Sequence, residues 1–268
     1  PGIRSCWNRR YLPPVRNCWT GSSSEVADME STVETMIEPM SPERTGRLSG
    51  AGRYRAVIFD WDGTLLDSTH HIVGALLGAC RDLGLREPSR EEAGWVIGLS
   101  LQAALYKLVP DLTGDQAEHF VERYKSHFMR LQSDMTLFDG QAVLLRDLHA
   151  QGVVLGVATG KTRLGLDRSI QLLGLQGIFQ ATRTADEARG KPDPDMLEQL
   201  LFELALAPES VLMVGDTTHD VLMARAAQVD SLAVSYGAHR ASLLESAQPT
   251  ALVNTVPDMQ AWIRARVG

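Results

Sequence analysis

Two aspartates, Asp60 and Asp62, stand two residues apart at the end of the apolar run Ala56-Val57-Ile58-Phe59. That run is β-branched and aromatic without polar alternation, so it reads as a buried parallel strand. A carboxylate at the end of such a strand falls where open α/β sheets bind ligands, in the crevice beyond the strand termini. Gly63-Thr64 supplies the turn by which the chain leaves the sheet. Two carboxylates this close repel, so they need a cation, a shared proton or a dense hydrogen-bond network. The competing interpretation is a solvated, Asp-rich turn, and three segments downstream bear on the choice.

The run Val153-Val154-Leu155-Gly156-Val157-Ala158 is followed by Thr159-Gly160-Lys161. A threonine here suits a helix cap, and a helix N-terminus also offers free N–H groups to an anion. Lys191 lies in Gly190-Lys191-Pro192-Asp193-Pro194, where the prolines restrict the backbone around a charge that is ordinarily a solvated loop residue. Val211-Leu212-Met213-Val214 ends in Gly215-Asp216, with Asp220 four residues on. That spacing brings both carboxylates to one side of a helical turn. His219, between them, is expected to be a surface histidine.

The stretch Asp60-Trp61-Asp62-Gly63-Thr64-Leu65-Leu66-Asp67-Ser68, then Thr159, Lys191-Pro192-Asp193-Pro194 and Gly215-Asp216 with Asp220, resemble the four motifs of the haloacid-dehalogenase superfamily, in order. The resemblance covers residues 54 to 266 or so. It implies that Asp60 is a nucleophile attacking phosphorus to give an aspartyl phosphate, splitting one hard displacement into two easier ones. It implies that Asp62 protonates the leaving oxygen and then deprotonates the attacking water. Thr159 and Gly160 would bind phosphate oxygens, and Lys191 would neutralise nucleophile and phosphate. The implied cofactor is Mg²⁺, held by Asp216, by the Asp60 side chain and by the Asp62 main-chain carbonyl, an oxygen-only site of the kind that ion prefers. Asp220 is then expected to act through water or by holding Lys191.

Within the superfamily the chain looks most like phosphoglycolate phosphatases, through Asp62-Gly63-Thr64-Leu65-Leu66-Asp67-Ser68, a helical cap and Tyr236-Gly237. The expected activity is therefore Mg²⁺-dependent hydrolysis of a small, phosphoglycolate-like phosphomonoester. Asp62 argues against a dehalogenase, and Thr64 against a phosphoglucomutase-like enzyme, which usually carries Val there. Inorganic pyrophosphatases and sugar-phosphate phosphatases stay open. So does a non-catalytic, partner-binding relative, although no motif residue is lost.

These residues need a frame to hold them. From Gly140 onward, helical and strand patterns alternate: helix 142–151, strand 153–158, helix 163–173, strand 178–181, helix 194–206, strand 211–215, helix 220–227 and strand 231–235. Alternation of this kind predicts an α/β fold, a doubly wound parallel sheet with a Rossmann-like core. The helix expected over 255–267 would close the core through Trp262 and Ile263. Residues 69–137 carry helical spacing only, over 69–83, 91–96, 101–109 and 116–131. One right-handed crossover needs one helix, so this surplus is expected to be an inserted all-helical cap. The core is thus assigned to 53–68 and 138–268. Substrate choice would lie in the cap, with His70, His71, Gly98, Ser100, Gln102 and Lys107 as candidates.

Residues 1–52 show no sustained periodicity and are expected to be a disordered extension. The chain begins at Pro1, which suggests a fragment or an over-extended translation, with Met29, Met36 and Met40 as candidate starts. Its 268 residues are 44% hydrophobic and 22% charged, an ordinary globular composition. A net charge of -7 gives no basic footprint for nucleic acid or an anionic membrane. Cys6, Cys18 and Cys80 make a sparse, odd set that suits a reducing compartment rather than a disulfide framework. Apolar runs of membrane-spanning length are absent from the sequence. The expected setting is cytoplasmic, with a small phosphorylated metabolite as partner, neither nucleic acid nor membrane, and a monomeric or homodimeric state.

Overall fold

The computed structural model describes residues 52–131 and 135–268; the expectation of disorder for the N-terminal extension lies outside the described residues, save Gly52. The described residues form one compact unit. At its centre is a six-stranded sheet in the order β3-β2-β1-β4-β5-β6. Its strands are β1 (Ala56–Phe59), β2 (Val154–Thr159), β3 (Ala181–Thr184), β4 (Val211–Gly215), β5 (Asp230–Val234) and β6 (Ala251–Val253). Every pairing is parallel, with Ala56 in register with Val154 on one side and Val211 on the other. β1 and its two neighbours are buried on both faces, which is why their sequences are unbroken apolar runs.

The helices are α1 (Thr69–Asp82), α2 (Arg90–Trp95), α3 (Leu101–Leu108), α4 (Gly114–Leu131), α5 (Gln141–Ala150), α6 (Arg163–Leu172), α7 (Asp195–Glu203), α8 (Thr218–Ala226), α9 (Ala241–Ser246) and α10 (Val256–Arg264). Alternate strand residues feed two cores. Val57, Phe59, Leu155, Val157, Leu212 and Val214 pack with α5, α6 and α10 on one face. Ala56, Ile58, Val211 and Met213 pack with α7 and α8 on the other. Ile263 is fully buried against the first face, and Trp262 stacks on Tyr54.

Between β1 and α5 the named elements of the described residues are helices, α1 to α4, and these share a third apolar cluster around Leu76, Leu105 and Phe120. Sequence and structure part at the sheet edges. The third strand lies at 181–184 rather than 178–181, and α9 and β6, six and three residues long, are too short to show a periodicity. Both strands are edges; in β3 half-exposed Thr182 and Arg183 do not follow the pattern of a buried strand. In α6, Gly165 sits over the Thr162 hydroxyl that caps the helix, so the turn after β2 is closed locally.

Candidate active site

The strand order reverses at β1, so the C-terminal ends of β1, β2 and β4 meet at one switch point. Asp60, Thr159 and Asp216 stand there, each 1% exposed or less. Lys191, also buried, arrives on the loop between β3 and α7 and places Nζ 2.5 Å from Asp60 Oδ1 and 2.6 Å from Asp220 Oδ1. The four sequence segments therefore converge on one site.

Asp220 sits in the first turn of α8 and completes a capping box with Thr217. Its Oδ2 accepts from the Thr217 amide at 3.1 Å and from the Thr217 hydroxyl at 2.6 Å. That arrangement turns Oδ1 toward Lys191. Asp216 is held just as firmly: Oδ1 accepts from Thr64 Oγ1 at 3.0 Å and Oδ2 from the Ala238 amide at 2.6 Å. Gly63 has φ +82°, and a Cβ there would lie 2.1 Å from Asp216 Oδ2. Glycine is thus required twice over, for the turn and for the close approach.

Oxygens of Asp60, Asp216 and Asp220 lie within 4.8 Å of one another. Burial raises the Asp60 and Asp216 carboxyls, and mutual repulsion with Asp220 adds to it; Lys191 pulls Asp60 back. Burial works against the Lys191 ammonium, but Asp220 and Asp60 outweigh it and its pKa rises. Asp60 Oδ2 is buried with no hydrogen-bond partner. With all three carboxyls ionised, one ammonium would leave two negative charges in excess. An all-oxygen site of that charge fits a divalent cation such as Mg²⁺.

Asp62 lies outside this trio. Its Oδ1 accepts from Ser68 Oγ at 2.7 Å, and its Oδ2 pairs with Lys161 Nζ at 2.9 Å. Its side chain is therefore not a member of the carboxylate cluster. Lys161 was visible in sequence only as the neighbour of Thr159-Gly160; its pairing with Asp62 and its position 5.0 Å over the Phe128 ring depend on the fold. Thr159 Oγ1 accepts from the Lys161 amide at 3.3 Å. Tyr236 donates its hydroxyl to Thr64 O at 3.0 Å and steadies the first turn.

The helices after β1 press on this site. A Cβ at Gly160 would meet Leu99 O at 2.4 Å and Gly98 O at 2.6 Å. The expectation of a surface His219 is overturned: its side chain is buried, because the first turn of α8 lies beneath Trp95. Nε2 of His219 and Nε2 of His239 each lie 3.0 Å from the Trp95 carbonyl oxygen. A carbonyl can only accept, so both rings donate. His239 Nδ1 accepts from the Thr218 amide, which fixes a neutral tautomer, and burial lowers the pKa of both rings.

A cavity of about 360 Å³ opens over Asp60, Asp62, Thr159, Gly160 and Lys161. Of the six residues nominated for substrate choice, only Gly98 lines it. Ser100 instead caps α3, Lys107 lies over the Trp95 ring, and His70 is exposed beside Asp67. His71 is buried, and Gln102 is exposed on α3.

The profile of the family described as haloacid dehalogenase-like hydrolase matches residues 57–234. The probable phosphatase IndB of Dickeya dadantii (strain 3937) is 33% identical over 208 residues, covering 76% of this chain and 90% of that protein. The tyrosine-protein kinase PtkA of Mycobacterium tuberculosis (strain ATCC 25618 / H37Rv) is 33% identical over 201 residues, covering 74% of this chain and 68% of that protein. A structure described as a predicted phosphoglycolate phosphatase from Haemophilus somnus 129PT superposes with a TM-score of 0.71. It covers 80% of this chain and 100% of that one at 21% identity, a likeness of fold.

Proposed function

The chain belongs to the haloacid dehalogenase-like hydrolases, and on that premise we propose that it is a Mg²⁺-dependent phosphatase that hydrolyses phosphomonoesters through an aspartyl phosphate on Asp60. One observation carries this reading: Asp60 Oδ2 is buried and unpartnered while Lys191 holds Oδ1 at 2.5 Å. The oxygen left free is the one positioned to attack, and the other is oriented by a fixed charge. Helices α1 to α4 serve as the cap over the site.

Thr159 and the Gly160 amide receive phosphate oxygens beside Lys191. Asp62 is aligned by Ser68 and Lys161; in its protonated form it gives a proton to the leaving oxygen, and the carboxylate so formed takes one back from water. Asp60, Asp216 and the Asp62 carbonyl would hold Mg²⁺, with Asp220 fixing Lys191; bound there, the ion would offset the excess negative charge and screen the phosphate from the nucleophile. A pyrophosphatase is less well supported, since a wholly anionic substrate has little use for the cavity above these residues. No observation here favours a partner-binding role, because every motif side chain is in place.

Phosphate release from a panel of monoesters, with Mg²⁺ and after exhaustive chelation, tests the proposal. Release that needs Mg²⁺ and vanishes in Asp60→Asn supports it. Turnover that survives chelation rejects the metal, and turnover that survives Asp60→Asn rejects the nucleophile.

A further inference from the structure

Above the polar floor the cavity is lined largely by hydrocarbon. Ile72 and Leu76 of α1 form one wall and Tyr124 and Phe128 of α4 another. At the mouth, Met129 faces Leu164 and Leu172 of α6. The described residues include six exposed large hydrophobics, and these three are half of them, 44%, 80% and 64% exposed. Apolar side chains scattered singly over a surface need no explanation, but a cluster around one opening marks a binding site.

The polar side chains near these walls are mostly committed elsewhere. Ser169 accepts from Trp61 Nε1 at 3.0 Å, Thr162 caps α6, and Lys161 is paired with Asp62. Arg168 and Lys125 line the cavity too, Arg168 with Nη1 3.5 Å from Met129 Sδ. Away from Arg168 and Lys125, a small anionic leaving group would meet apolar walls that cannot replace its hydration. An apolar body would gain from them, and flexible Met129 and Met135 would adapt to its shape.

We propose that the preferred substrate is a phosphomonoester with an extended apolar body, alkyl or aryl, which fills the cavity between α1, α4 and α6 while its phosphate meets Asp60. The inference rests on the phosphatase reading above and narrows it away from phosphoglycolate-like esters. The body is bound equally in the ground and transition states, so it acts on KM and leaves kcat alone.

The test is steady-state kinetics of the full chain with Mg²⁺ on straight-chain alkyl phosphates from methyl to octyl, with phosphoglycolate and p-nitrophenyl phosphate alongside. KM should fall about fourfold per added methylene until the cavity is full, at nearly constant kcat. Met129→Gln combined with Leu164→Gln changes two exposed positions, so the fold is kept. It should flatten the dependence for the longer chains, so that the KM ratio of octyl to methyl phosphate moves toward one. Calorimetric binding of the same series to Asp60→Asn should show the same gradient without turnover. A flat series, or phosphoglycolate preferred over butyl phosphate, overturns this inference while the phosphatase stands. No turnover of any ester overturns both.

Discussion

Asp220 faces Lys191 with one carboxylate oxygen, at 2.6 Å, and holds the N-terminus of its own helix with the other. The cap of α8 thereby fixes the direction of a charge that in turn orients Asp60. Structural and chemical roles are joined in one carboxylate, so changes at this pair should register in stability as well as in rate.

Replacing Lys191 with Ala should leave Asp60 and Asp220 buried without their cation. Breaking a buried pair from one side costs about 3–5 kcal/mol, and the midpoint of urea unfolding should fall accordingly. Turnover should be lost with it. A Lys191→Ala protein as stable as the parent would show that the carboxylates find another partner.

Mg²⁺ should raise the melting temperature of the parent protein, because a ligand that binds only the folded state stabilises it by about 2.7 kcal/mol at a hundredfold excess over Kd. Asp216→Asn should remove that increment while keeping the Thr64 and Ala238 contacts, and so the fold. The readout is a melting scan with and without the ion, and an undiminished shift in the variant would exclude Asp216 as a ligand.

Asp62→Asn keeps the nucleophile and removes the group that activates water. The slowed reaction, about a hundredfold to ten-thousandfold, should let the phosphoryl group accumulate on Asp60. Rapid quench and intact mass spectrometry would detect one hydroxylamine-labile phosphoryl group with an aryl phosphate. Slow product release without any adduct would instead favour direct attack by water.

Gly160→Ala places a methyl group against two backbone oxygens, Leu99 O and Gly98 O, which cannot rotate away. The loop between α2 and α3 must lift from the site. KM should rise severalfold and the melting temperature should drop; unchanged values would mean that this loop yields freely.

Glu187 is held at about 2, below its usual 4.5, chiefly by the hydrogen bond from Arg163, with Thr184 assisting. A depressed carboxyl contributes stability that is complete above its unfolded pKa and is lost as pH falls toward the folded one. The difference in urea midpoint between parent and Glu187→Gln should therefore be constant from pH 7 to about 5 and shrink below pH 4.5. Solvent around this half-exposed pair keeps the effect small.

The catalytic candidates were legible in the sequence because each ends, or follows closely on, a local pattern. Asp60, Thr159 and Asp216 terminate apolar runs, and such runs become the central strands of a parallel sheet whatever lies between them. Lys191 and Asp220 were legible through their neighbours Pro192 and Asp216. The edge strands were not, because β3 carries half-exposed Thr182 and Arg183 and β6 is only three residues long. Tertiary structure alone decided the pairing of Lys161 with Asp62, the burial of His219 under Trp95 and the apolar walls above Asp60. Those contacts join residues from about 100 to more than 120 positions apart or set α4 against α6. No local periodicity encodes which solvent-facing residue of one element will meet which of another; packing of the assembled helices onto the sheet determines it.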